Sequence, residues 1–193
     1  MVQNRTAWAT AALMVATLGV AAAPAGATAG TTAQATACPT GWGSQAETRS
    51  AGTLEPLTNV RTGRHACFDR MVVDVPGAGS SELGYSVRYV SRLYQDGSGR
   101  QITVGGGAVL EVRVTAPAYD PDTGKPTYPA KAGQRLTGVN LTGYRTFRDA
   151  RFVGSFEGDT QIGLGVRARL PFRVWVAAGR VVIDVAHNWT GAR

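Results

Sequence analysis

The sequence predicts an all-β protein, folded as a two-sheet sandwich with one long Pro-rich surface loop. Short segments of alternating polar and apolar residues recur along the chain, and clusters of Gly, Pro, Asp and Ser separate them. Beyond the N-terminal region, apolar residues at helical spacing are always interrupted by Gly or Pro. These observations favour about seven short strands and no long helix.

The stretch HACFDRMVVDV, residues 65–75, predicts the first core strand. Alternation gives it one mixed face and one more apolar face, so the neighbours Asp69 and Arg70 should point to opposite sides of the sheet. The mixed face carries Phe68, Arg70, Val72 and Asp74, and the apolar face carries Asp69, Met71, Val73 and Val75. Asp69, Asp74 and Asp184 are expected to cap turns or to pair with Arg.

Later segments continue the alternation. In YSVRYV, residues 85–90, Tyr85, Val87 and Tyr89 share a face, and in VLEVRV, residues 109–114, Leu110, Val112 and Val114 do so. The remaining predicted strands are ITV at 102–104, RFVGSF at 151–156, TQIGLGV at 160–166, FRVWV at 172–176 and RVVIDV at 180–185. Residues 116–135, with four prolines, fit no regular element and predict the long surface loop.

The segment GLGVRA, residues 163–168, has the spacing of a dinucleotide-binding loop, but its context is wrong for one. Such a loop opens a helix, whereas the residues around Gly163 and Gly165 alternate as a strand does. We therefore expect a strand with one bare face, which a ring or another backbone can approach closely. No cofactor is predicted.

The N-terminal residues predict export. Arg5 precedes an Ala-rich apolar run and Ala-x-Ala sites, which indicates a signal peptide over residues 1–29. A flexible leader is expected over 30–50 and a single β domain over 51–193. The run is too short and interrupted to predict a membrane span, and a lipid anchor at Cys38 is the rival interpretation.

Cys38 and Cys67 are the two cysteines, and an oxidising compartment favours one disulfide between them, with a reactive thiol pair as the alternative. A metal site is not predicted, because neither histidine stands near a cysteine or carboxylate at zinc spacing. No Gly-x-Ser-x-Gly motif occurs, and scattered acids neither support nor exclude a glycoside hydrolase, so no enzyme is predicted.

The chain is basic, with a formal net charge of +7 that is carried mostly by arginine. An exported cation is attracted to anionic polymers, and export favours the cell wall over nucleic acid. Arginines cluster late in the chain, and we expect some of them to share a sheet face, where they would bind phosphate or carboxylate groups. The candidate binding residues are Arg70, Arg88, Arg148, Arg167 and Arg173. Trp42, Trp175 and Trp189 are candidates for stacking on sugar rings, or for burial.

These residues together resemble the AMIN-like domain of secreted actinobacterial proteins. The resemblance is carried by CPTGWGS at 38–44, VRTGRHACFDRMVVDV at 60–75, LGYSVRYV at 83–90, FEGDTQIGLGVRARLPFRVWV at 156–176 and RVVIDV at 180–185. It implies an all-β fold related to the AMIN domains of envelope proteins, which are non-catalytic modules associated with localisation and peptidoglycan binding. No agreed binding residues come with it.

We therefore expect a secreted, non-catalytic binding domain, associated with the cell wall through peptidoglycan or an anionic wall polymer. The alternative is a secreted protein-binding or inhibitory module whose contact surface is the loop at 116–135, with a secreted or envelope protein as its partner. A small secreted hydrolase is a third hypothesis.

Overall fold

The computed structural model describes residues 37–189, so the predicted signal peptide lies outside the described residues. This part of the chain forms strands joined by turns and loops. The strands are β1 Glu47–Arg49, β2 Asn59–Arg64, β3 Phe68–Asp74, β4 Tyr85–Val90, β5 Leu93–Tyr94, β6 Gln101–Ile102, β7 Ala108–Val114, β8 Phe147–Phe156, β9 Asp159–Val166, β10 Phe172–Ala177 and β11 Arg180–Ala186. Between residues 37 and 189 there is no helix long and apolar enough to cross a membrane.

Two antiparallel sheets form the body of the domain. The five-stranded sheet has the order β1-β4-β7-β9-β8, and the four-stranded sheet has the order β10-β11-β3-β2. A third, two-stranded sheet is the hairpin of β5 and β6. The prediction of an all-β sandwich is confirmed.

The main core lies between the two large sheets, where the alternating apolar residues meet. Leu110, Val112 and Val114 of β7 are fully buried there, as are Met71 and Val73 of β3. The predicted inner faces of both strands are therefore confirmed. Asp69 is also buried and faces the opposite side from Arg70, as the alternation requires.

The bare face of β9 is covered by the hairpin of β5 and β6 and the segment that follows it. A Cβ atom on Gly165 would lie 1.8 Å from the carbonyl oxygen of Gly105, and one on Gly163 would lie 2.5 Å from a methyl group of Leu93. Leu93, Ile102 and Val153 form a second, small core at this place. The expected close approach of another backbone at Gly165 is found.

Two strands lie earlier in the chain than any strand predicted from the sequence. β1 pairs with β4 and lies within residues 30–50, the range expected to be a flexible leader, so 47–49 belong to the sheet. β2 pairs with β3, and the stretch at 65–75 therefore contains the third strand along the chain, not the first. Both are edge strands, and alternation is weak there because little of either is buried.

The connection from β7 to β8 spans residues 115–146 and has only isolated bridges in place of strands. It differs from the expected surface loop because several of its side chains lie in the main core. Those side chains are Ala116, Ala118, Tyr128 and Leu136. Within the predicted contact surface at 116–135, the longest exposed run is 121–126.

Cys38 and Cys67 form a disulfide, with 29 residues of separation between them. The bond ties the segment before β1 to the turn that precedes β3. The single predicted disulfide is therefore present, and no free cysteine lies among the described residues.

Candidate functional site

The outer face of the four-stranded sheet carries a row of three charged residues. Strand register places Asp184 of β11 directly between Arg70 of β3 and Arg173 of β10. Outward-facing residues of neighbouring strands are in contact when they are directly opposed, which explains why distant parts of the sequence meet here. Two of the five candidate arginines thus share one face.

Asp184 holds both guanidinium groups. Arg70 donates from Nε to Oδ1 at 2.6 Å and from Nη2 to Oδ2 at 2.9 Å, and Arg173 donates from Nε to Oδ2 at 2.9 Å. The Asp184 side chain is fully buried beneath the two arginines, which are themselves 24% and 41% exposed. A carboxylate in this position orients the guanidinium planes and leaves their outer edges toward solvent.

Aromatic rings alternate with these arginines across the face. The Cζ atom of Arg173 lies 4.6 Å from the ring centroid of Trp42 and 5.9 Å from that of Phe68. The Cζ atom of Arg70 lies 5.1 Å from the Phe68 centroid and 5.4 Å from that of Trp175. We call the five residues Trp42, Arg173, Phe68, Arg70 and Trp175 the aromatic–arginine ladder. At these distances a guanidinium group is attracted to the face of the ring.

The ladder rests on a packed base. Val72 and Val182 belong to the same outer face, yet they are 5% and 1% exposed. Trp175 remains 37% exposed. The face therefore presents flat rings and guanidinium edges, while its aliphatic groups are hidden.

Electrostatics keep the ladder cationic. The hydrogen bonds that Arg70 donates to Asp184 raise the pKa of Arg70 above its ordinary range, so this guanidinium stays charged. The outward residues of this sheet include four arginines and two aspartates, a balance of +2. They are Arg61, Arg70, Arg173, Arg180, Asp74 and Asp184.

Arg88 is not part of this face. It lies on β4 of the five-stranded sheet, where its Nε donates to Glu111 Oε2 at 2.8 Å. Glu111 is 3% exposed and also accepts a hydrogen bond from Gln161. The structure therefore places Arg88 in a polar network on the opposite sheet, away from Arg70 and Arg173.

Arg148 and Arg167 bind backbone carbonyl groups. Arg148 donates to the carbonyls of Tyr144, Arg145 and Phe147 at 2.9–3.1 Å, and Arg167 donates to the carbonyl of His187. Both fix loop geometry at the ends of strands. Arg148 also lines an open cleft beside β8. The five candidate arginines thus form one pair and three separate sites.

A buried polar group contains the residue types of a nucleophile and a base. The Oγ1 atom of Thr146 lies 2.9 Å from Nδ1 of His187, while Asp69 accepts hydrogen bonds from the backbone amides of Thr146 and Phe147. Thr146 and His187 are 0% and 3% exposed, and Asp69 contacts amides and not the imidazole. This arrangement joins β3, β8 and β11. Across residues 37–189, no three potential ligands come together to hold a metal ion.

Sequence reasoning missed the ladder as a unit, although signals for its members existed. Asp184 is a charged residue inside the apolar run VVIDV, and Phe68 and Arg70 alternate onto one face. Trp42 lies in the segment before β1, whose bridge from Gly43 to Phe172 brings it alongside β10. No local pattern indicates that bridge.

The family model described as AMIN-like domain matches residues 55–187, which is more than half of the chain. The matched range contains Phe68, Arg70, Arg173, Trp175 and Asp184, whereas Trp42 precedes it. Neither curated proteins nor solved structures gave a match.

Proposed function

This chain belongs to the AMIN-like domain family, and from that premise we propose that it is a secreted, non-catalytic domain that binds peptidoglycan glycan on the aromatic–arginine ladder. The family indicates an envelope-associated binding domain. The observation that carries the finer proposal is the alternation of rings and guanidinium groups on an open sheet face.

The chemistry of the ladder suits a sugar chain that bears carbonyl and carboxylate groups. The flat C–H face of a pyranose packs on an indole ring, as the partly exposed Trp175 would allow. Guanidinium edges donate in pairs to carboxylates and to acetamido oxygens, both of which peptidoglycan presents. Rings and charges in alternation match a ligand whose apolar and polar groups also alternate.

Preorganisation supports binding at this face. Asp184 and the neighbouring rings hold both arginines in place before any ligand arrives, which reduces the conformational entropy that binding would cost. A mobile arginine side chain loses conformational entropy when a ligand orders it. Two arginines that are already held in place therefore bind the ligand more tightly through the same contacts.

The location of the protein is part of the proposal. The N-terminal pattern of residues 1–29 favours export, and a basic domain outside the cytoplasm would meet wall polymers first. We propose secretion with association to the wall.

Sedimentation of the protein with purified peptidoglycan tests the proposal. The wild type should pellet with the polymer, and Trp175→Ala and Arg173→Ala should each weaken binding by about tenfold, a loss of about 1.4 kcal/mol. Arg88→Ala is the matched control, since it removes one arginine charge from the opposite sheet and should change binding less than twofold.

Thermal unfolding of each variant checks whether the fold is retained. Failure of the wild type to pellet would overturn the proposal, as would an equal loss in Arg88→Ala, which would indicate a general effect of charge.

The alternative of a protein-binding module at 116–135 stays a prediction. Capture of secreted proteins on the immobilised domain distinguishes it, because a stoichiometric partner lost on changes within 121–126 would favour that function over glycan binding.

A further inference from the structure

A cationic cleft lies at the side of the five-stranded sheet, between β8, the segment after β6 and the end of the β7–β8 connection. It is open, with a volume of about 680 Å³, and a second hollow of about 320 Å³ adjoins it. Both are lined by Arg135, Arg148 and Asp149, so the two hollows adjoin each other. Arg100 and Arg151 complete the set of charged residues, and we call the whole the arginine cleft.

The charge in the arginine cleft is unbalanced. The lining has four arginines and one aspartate, which leaves a formal charge of +3 by subtraction. The Arg135 side chain is 79% exposed, and its Nε atom stands 3.7 Å from Oδ1 of Asp149, beyond hydrogen-bonding distance. Arg100 is also exposed, and the one hydrogen bond found for its side chain among the described residues goes to Gln95.

Asp149 is already committed to holding the walls of the cleft together. Its Oδ2 atom accepts from Nε of Arg151 at 2.7 Å and from the amide of Gly105 at 3.0 Å, while Oδ1 accepts from the amide of Ala150. These bonds hold the Arg151 side chain in place and join the segment after β6 to β8. Asp149 is hydrogen-bonded to Arg151 and forms only a longer ion pair with the exposed Arg135, and no ion pair of Arg100 is found among the described residues.

We propose that the arginine cleft binds phosphate groups of a linear polymer. Guanidinium forks bind phosphate oxygens in pairs, and two adjoining hollows that share a wall accommodate successive groups along a chain better than one isolated anion. The site is separate from the aromatic–arginine ladder, since it belongs to the five-stranded sheet and the ladder to the four-stranded one. It goes beyond the proposed glycan binding.

Isothermal titration calorimetry at two salt concentrations tests this, with inorganic polyphosphate and a glycerol phosphate oligomer as probes. The double variant Arg100→Ala with Arg135→Ala should weaken binding by about tenfold or more. The control Arg61→Ala with Arg180→Ala removes the same charge from the four-stranded sheet and should change binding less than twofold. Binding should also weaken as salt rises.

Arg135→Lys separates charge from geometry, because lysine keeps the charge and loses the fork, and an intermediate affinity is expected. Binding of either probe supports the proposal, and the tighter probe identifies the source of the phosphate. Three results would each overturn it: no binding of either probe, equal losses in both double variants, or equal binding of polyglutamate of the same charge. Trp175→Ala should leave phosphate binding intact, so failure of this proposal and failure of the glycan proposal are distinguishable.

Discussion

Arg70 donates to both carboxylate oxygens of Asp184 across directly opposed positions of β3 and β11. The two residues are 114 positions apart in the sequence, and the pairing joins the middle of the four-stranded sheet. Because Asp184 is fully buried, its charge is compensated by the ion pairs with Arg70 and Arg173.

Asp184→Asn should therefore destabilise the domain by about 3 kcal/mol, since an amide cannot accept from both arginines with the strength of a carboxylate. Denaturant unfolding measures the change. Asp74→Asn is the matched control on the same face. Its ion pair with Arg61 is more exposed, so a loss below about 1 kcal/mol is expected. Equal effects of the two substitutions would contradict the stated role of Asp184.

Replacement of both cysteines by serine should cost about 3.5 kcal/mol, because the bond closes a loop of 29 residues in the unfolded chain. Denaturant unfolding of the variant and of the wild type with a reductant should give matching values. A variant as stable as the oxidised wild type would show that the link contributes nothing to the fold.

Gly165→Ala should destabilise the domain by about 3 kcal/mol, the upper range for overpacking, because the new methyl group would meet the carbonyl oxygen of Gly105 at 1.8 Å. Thermal unfolding checks this. Gly63→Ala, also within a strand, meets its nearest atom at 3.7 Å and should change stability by no more than about 0.5 kcal/mol. Similar melting temperatures for the two variants would contradict the close approach.

The Tyr128 hydroxyl should ionise at a higher pH than an ordinary tyrosine hydroxyl. Burial raises the pKa of its hydroxyl, which donates a hydrogen bond to the carbonyl of Thr137, to about 12. In the unfolded chain the Tyr128 hydroxyl ionises near pH 10, so the stability that this residue contributes to the folded protein is complete below that pH. It falls between pH 10 and 12 by at most about 1.4 kcal/mol per unit.

Tyrosinate absorbance of the wild type minus that of Tyr128→Phe measures this residue alone. The difference should rise near pH 12, and in Tyr128→Phe the loss of stability with pH should be shallower above pH 10. A difference curve centred near pH 10 would contradict the burial of the hydroxyl.

Local alternation predicted much of the fold and little of the site. In β7 and β9 large apolar residues recur at every second position from Leu110 to Val114 and from Ile162 to Val166, so both their existence and their inner faces follow from the sequence. β1 and β2 lie at sheet edges and bury few side chains, which leaves the pattern weak. The hairpin of β5 and β6 has two residues per strand, too few to show a period.

The candidate site depends on strand order, which alternation does not contain. That Arg70 faces outward could be predicted from β3 alone, but its neighbour Asp184 is fixed by the pairing of β3 with β11. Arg88 has a similar local pattern and pairs with Glu111 on the other sheet. Arginines with the same sequence signal therefore reach different surroundings, because register is a tertiary property.

The two glycines of β9 that face the hairpin, Gly163 and Gly165, also fix the register of this inner strand of the larger sheet. A slip of one residue would turn Ile162 and Leu164 toward the hairpin and leave glycines facing the interior. A Cβ atom at position 165 would lie 1.8 Å from the carbonyl oxygen of Gly105, so a branched side chain at this place would clash with the backbone. The shifted pairing is therefore sterically forbidden, and it would also bury less apolar surface. Absence of side chains at Gly163 and Gly165 thereby selects one alignment of β9 against both of its neighbours.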